Sequence, residues 1–162
     1  MNNKELLCTK MKEVLKTETL PSDSLELLLN PKIRSVLGTL VVHGELEFPS
    51  YEKADLSSMS LVNADLSGLT FIECNLMSTK MHRSYLRGTS FIGCGGGFTD
   101  FSDSLLLGTL FHQTDLYKTN FEQAKLIGVE FSGSNLTKAK LSIFQLFGCD
   151  LYQVNGLNTL RE

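Results

Sequence analysis

Large apolar residues recur at every fifth position from Tyr51 to Leu151, and the phase never slips. Eighteen of these 21 centres are Leu or Phe, the exceptions being Tyr51, Met81 and Gly96. The chain's overall content of those two residues would place roughly five there by chance. Two residues before the centres the side chains are small: from 54 to 149, 17 of 20 are Ala, Ser, Thr, Cys or Val, with Met59, Leu69 and Phe144 the exceptions. A period of five fits neither a helix nor a plain strand. It fits a chain that turns a corner every five residues, pointing one large and one small side chain inward on each side.

A second period closes the figure. Gly68, Gly88, Gly108, Gly128 and Gly148 are twenty residues apart, as are Tyr51, Phe71, Phe91, Phe111 and Phe131. Four sides of five residues make a square coil, and the next coil stacks on it. The glycine column marks a corner where the backbone is expected to need positive φ or a close approach. No coil can bury its own centre, so a continuous core arises only by stacking. At about 4.8 Å per coil, just over five coils make a rod roughly 25 Å long.

Segments such as Ala54-Asp55-Leu56, Ala64-Asp65-Leu66, Thr114-Asp115-Leu116 and Ser134-Asn135-Leu136 resemble the pentapeptide-repeat family, over about two thirds of the chain. The resemblance implies an all-β solenoid, a right-handed quadrilateral β-helix. It says much less about function, because one solenoid can display many surfaces.

Residues 1–48 lack clear repeats and are expected to form an N-terminal helical cap and entry strand. Leu7, Met11, Val14 and Leu15 share one helical face, and Pro21-Ser22-Asp23 reads as a second helix start. Thr39 to Phe48 is β-like, with Val41 and Leu46 already in repeat phase. Such a cap would cover the core and the hydrogen-bonding edge that a solenoid end exposes. A targeting signal in the first twenty residues is the other reading. The β-helix is expected over 49–156, followed by a tail at 157–162 without a comparable cap. Within the repeats, Gly96 replaces a centre Leu, and Phe98 is expected to swing inward at a local bulge.

The sequence offers little for catalysis. A square coil filled by Leu and Phe leaves no pocket, and no catalytic residue or cofactor is expected. His82 and His112 fall on opposite faces, and no pair of cysteines has zinc-ligand spacing. Cys74, Cys94 and Cys149 occupy inward small-residue positions, as apolar fillers. The column Asp55, Asn75, Asp115 and Asn135 is read as side chains bonding corner backbone rather than as metal ligands. Four cysteines and no run of 18 apolar residues point to a reducing, cytoplasmic setting without membrane contact.

Function is therefore expected on the outer faces. Tyr85, Leu105, Leu107, Ile127 and Phe147 point outward around the all-leucine centres, and Leu107, Ile127 and Phe147 fall on successive coils. An apolar column of this kind points to a protein partner or to self-association. The family resemblance adds two alternatives. One is a DNA mimic that binds and protects DNA gyrase; the other is a substrate-recruiting β-helix of a secreted bacterial effector. Mimicry needs regularly spaced negative charge, yet residues 51–162 hold 11 acidic and 9 basic side chains, a net of only −2. Direct nucleic-acid binding is not expected from a chain of net charge −3.

Overall fold

All but one of the described sides of the coil end in a residue held in the left-handed backbone region, and this repeated corner makes that part of the chain a square solenoid. The computed structural model describes residues 50–161. Two residues after each centre, φ is positive at every corner from Lys53 to Gln153 except the one at residue 143. The glycine column shares this geometry with Lys53, Asn63, Arg83, Asp103 and others, so glycine marks a corner here without being required for one. A Cβ added at Gly88, Gly108, Gly128 or Gly148 would meet nothing within 4 Å. Many corners are closed by a turn in which the third residue after the centre donates its N–H to the centre's carbonyl, as Met59 does to Leu56 at 3.2 Å. That bond and the left-handed third position have the pattern of a type II turn.

The sides pair in parallel at a constant offset of twenty residues. Four strands, β1 (Ser50–Glu52), β2 (Thr70–Ile72), β3 (Ser90–Ile92) and β5 (Leu110–His112), form one ladder with Tyr51, Phe71, Phe91 and Phe111 in register. β4 (Leu105–Leu107) pairs with β6 (Lys125–Ile127) on another side. Single bridges such as Asp55↔Asn75 and Lys80↔Asp100 carry the remaining sides at the same spacing. Each coil's backbone is thereby satisfied by its neighbours along the stack.

The core follows the five-residue pattern. Every centre from Leu56 to Leu146 is buried. Phe71, Phe91, Phe111 and Phe131 stack with centroids 5.1–5.3 Å apart. Phe101 and Phe121, from the opposite side of the square, stack on each other at 5.3 Å and meet the first column edge-on, for instance Phe121 to Phe131 at 5.9 Å. Each such aromatic pair adds about 0.5–1.5 kcal/mol beyond its area burial. The small inward residues fill the space between centres and also carry hydrogen bonds. Thr79, Thr89, Thr99 and Thr109 each donate a hydroxyl to a carbonyl 23 residues earlier, at 2.7–2.9 Å.

The helical cap expected over residues 1–48 lies outside the described residues. Among the described residues there is no α-helix, only two short 3-10 helices, Ile143–Leu146 and Leu157–Thr159. One expectation within the repeats needs correction. There is no bulge filled by Phe98. Gly96 stays in register, donating its N–H to the Asp115 carbonyl at 2.7 Å, while Phe98 remains 51% exposed. Leu116 fills the gap from the next coil, its Cδ2 only 3.4 Å from where a Gly96 Cβ would stand.

Candidate interaction surfaces

The interior holds no reactive constellation among the described residues. Cys74 and Cys94 are buried and free, and their thiols donate to the carbonyls of Tyr51 and Phe71 at 3.4 and 3.3 Å. Burial pushes the Cys94 thiol up to about 11, which keeps it protonated at neutral pH. No group of three or more His, Cys, Asp or Glu is placed to hold a metal among the described residues. The Asp/Asn positions bind the corners instead. Asp115 Oδ1 accepts from the Tyr117 N–H at 3.1 Å and from Asn135 Nδ2 at 3.0 Å, and Asp55 repeats the arrangement with Ser57 and Asn75. The bonds from Ser57 hold the Asp55 carboxyl below its ordinary value. His82 Nδ1 stands 3.6 Å from Asp100 Oδ2, on a different side from His112.

The outward apolar residues are distributed unevenly. Leu105 and Leu107 are only partly buried, and Tyr85 and Ile127 are exposed. Leu107 and Ile127 are ladder partners, the last residues of β4 and β6. Phe147 does not extend that ladder, because the chain leaves the square path at Ser142. There a 3-10 helix, Ile143–Leu146, replaces one side and its corner.

Capping residues hold this helix. Ser142 Oγ accepts from the Phe144 N–H at 3.2 Å, and Gln145 Oε1 accepts from the Ser142 N–H at 2.8 Å. The Gln145 amide reaches back one coil, donating to the carbonyls of Phe121 and Ala124 at 2.9 and 3.1 Å. One side chain thus takes over hydrogen bonds that a strand would have made. The outcome is a pair of outward aromatic rings, Phe144 at 79% and Phe147 at 93% exposure, beside exposed Ile143 and Ile127. Ile143 and Phe144 are additions to the expected surface. The signal for them was present, since Phe144 breaks the rule that a small residue precedes each centre by two.

Residues 69–141 match the family model described as pentapeptide repeat region. Over the described residues the chain is an all-β solenoid of stacked five-residue sides, and the matched stretch is similar to the repeats of that family. No curated protein matches it in sequence. Among solved structures, it is similar to the pentapeptide repeat protein alr5209 from Nostoc PCC 7120, at 22% identity and a TM-score of 0.54 over 70% of this chain and 93% of that one. It is similar as well to Rfr23 from the cyanobacterium Cyanothece 51142, at 16% identity and a TM-score of 0.53 over 77% and 94%. QnrB1, a plasmid-mediated fluoroquinolone resistance protein, aligns at 20% identity and a TM-score of 0.50 over 59% of this chain. The match spans 56% of the QnrB1 chain. These likenesses concern the fold. No helix among the described residues is long and apolar enough to cross a membrane.

Proposed function

We propose that the protein is a non-enzymatic interaction module whose rigid β-helix presents an apolar contact surface to a protein partner. The surface comprises Tyr85, Leu105, Leu107, Ile127 and Phe147, extended by Ile143 and Phe144. The observation that carries this reading is the capped 3-10 helix beside β6. Its hydrogen bonds fix a backbone that leaves Phe144 and Phe147 in water, where large aromatic groups gain nothing until a partner covers them. A contact surface fixed in advance also loses little conformational freedom on binding.

Gyrase protection by DNA mimicry has less support. Along the described solenoid, carboxylates alternate with Lys80, Arg83, Arg87, Lys118 and Lys138, so no face repeats the uniform negative charge of a duplex. A substrate-recruiting role in a secreted effector uses the same rigid display and differs only in what the solenoid is attached to.

The test compares pull-downs from a lysate of the source cells using the wild type and Ile127→Asp/Phe147→Asp. Thermal unfolding by circular dichroism confirms that both are folded. The reading expects at least one protein captured by the wild type and lost with the variant. Identical captured sets would make this face ordinary surface and remove the reading.

A further inference from the structure

The described solenoid carries more acid than base, yet four cations gather at one groove. Lys118, Lys138, Lys140 and Arg161 line a depression of about 580 Å³ together with Phe98. Two structural columns bring them there. Phe98, Lys118 and Lys138 occupy the same corner on successive coils, all with positive φ. Lys140 follows Asp100 and Asn120 in the ladder along the neighbouring side, and Arg161 joins through its bridge to Ser142. Ala139 and Thr159 also line the depression. Thr159 Oγ1 accepts the Lys138 N–H at 2.7 Å, which ties the end of the chain to this corner.

Among the described residues, the charges in the groove are not balanced by ion pairs. Lys138, Lys140 and Arg161 are exposed, and none of the three has an ion-pair partner among the described residues. Lys118 is held by aromatic rings instead, its Nζ 5.3 Å from the Phe98 centroid and 5.2 Å from that of Tyr117. Asp100, the one carboxylate among the described residues lining the groove, is already engaged. Its Oδ1 accepts from the Ser102 N–H and from Asn120 Nδ2, and its Oδ2 faces His82. Glu122 lines the adjoining depression with Lys140 and Arg161 but is not within ion-pair distance of either.

We propose that this groove binds a short acidic segment of a partner polypeptide. Its carboxylates meet Lys138, Lys140 and Arg161, and an apolar side chain of the same segment rests on Phe98. The chemistry favours a peptide over a nucleic acid. A phosphate backbone would have to run on from four clustered cations past Glu122 and Asp103, across a protein of net charge −3. A peptide places its charge in one short stretch and supplies the apolar group that half-exposed Phe98 calls for. The proposal rests on the interaction-module reading only in taking the partner to be a polypeptide, and it involves a different set of residues from the apolar surface.

The experiment is fluorescence anisotropy with the full chain and three labelled probes: a Glu/Asp-rich peptide containing one Leu, the same peptide with Gln/Asn in place of the acids, and an oligo-dT strand. The expected result is saturable binding of the acidic peptide alone, weakened about tenfold or more by Lys138→Glu/Lys140→Glu, and weakened by added salt. Ile127→Asp/Phe147→Asp should leave it unchanged, which separates this proposal from the apolar surface. Equal binding of the acidic peptide by wild type and charge-reversal variant would overturn the proposal. So would tighter binding of oligo-dT, or no binding of the acidic peptide.

Discussion

The hydroxyl of Thr109 donates to the carbonyl of Leu86 at 2.7 Å, across 23 residues and one step of the stack. The same carbonyl also accepts the N–H of Thr89 at 3.2 Å, which closes its own corner. One buried threonine therefore links two corners that belong to different coils. Thr119 does the same for Gly96, while Ser134 donates to the Phe111 carbonyl and accepts the N–H of Thr114 on its own Oγ. The small inward position thus fills space and joins coils with a single side chain.

Replacing that hydroxyl by a methyl of similar volume isolates the hydrogen bond from the packing. Thr109→Val should cost about 1 kcal/mol, the net worth of an ordinary buried hydrogen bond whose acceptor keeps a second donor. Urea unfolding monitored by circular dichroism measures it. A cost near that of a core cavity would mean the hydroxyl supports more than this link.

Phe111 stacks between Phe91 and Phe131 and meets Phe101 and Phe121 edge-on. Phe111→Ala is expected to destabilise by about 3–5 kcal/mol, because the cavity it opens is bordered by four rings that cannot close on it. Differential scanning calorimetry checks the figure. A loss below about 1 kcal/mol would contradict the buried aromatic column.

Gly156 has φ 85°, and a Cβ there would run into the backbone and side chain of Thr137. Gly156→Ala should shift the chain from Leu157 to Arg161 and break the Thr159–Lys138 bond. The expected signature is rapid amide exchange at Lys138 with little change at Phe111. Protection at Lys138 equal to that of the wild type would show that the end of the chain absorbs the change.

Cys94 is held protonated by burial, its ordinary value of 9.0 raised to about 11. Because the folded state keeps the proton that the unfolded state releases, this group's contribution to stability is complete below about pH 9. It falls as pH rises from there through about 11. Alkylation by iodoacetamide at pH 8 should accordingly be slow in the folded protein and fast in urea, for Cys94 and Cys74 alike. Equal rates in both conditions would place the thiols in water.

The architecture was legible because its signal is arithmetic. A Leu at 86, 106, 126 and 146 can be buried together only if the chain returns every twenty residues. The Asp115 and Asn135 corners were legible for a similar reason, since a short amide or carboxylate beside a turn finds the N–H two residues on. What the period could not convey is where it is locally overridden. It specifies which positions face inward, and says nothing of a glutamine that caps two carbonyls of the previous coil. So the 3-10 helix at Ile143–Leu146 surfaced only as an irregularity at Phe144. Phe98 misled for the opposite reason. A missing centre at Gly96 invites a replacement nearby in sequence, but Leu116, twenty residues away, is the nearer neighbour in space. The basic groove went unrecognised because Arg161 lies past the last regular repeat, where no periodicity points to it.

The constant offset of twenty residues in the ladders has a further consequence. Excising Thr89 to Gly108 would join Gly88 directly to Thr109, the same dipeptide the chain already has at both ends of that stretch. Phe111 would land on Phe71, and Thr109 would inherit the carbonyl of Leu66 that Thr89 uses now. The described solenoid has the translational symmetry of a one-dimensional crystal, with the coil as its unit cell. Its length is a free parameter, adjustable in whole steps without redesign of the interior, and the distance between any two surface features is counted in coils.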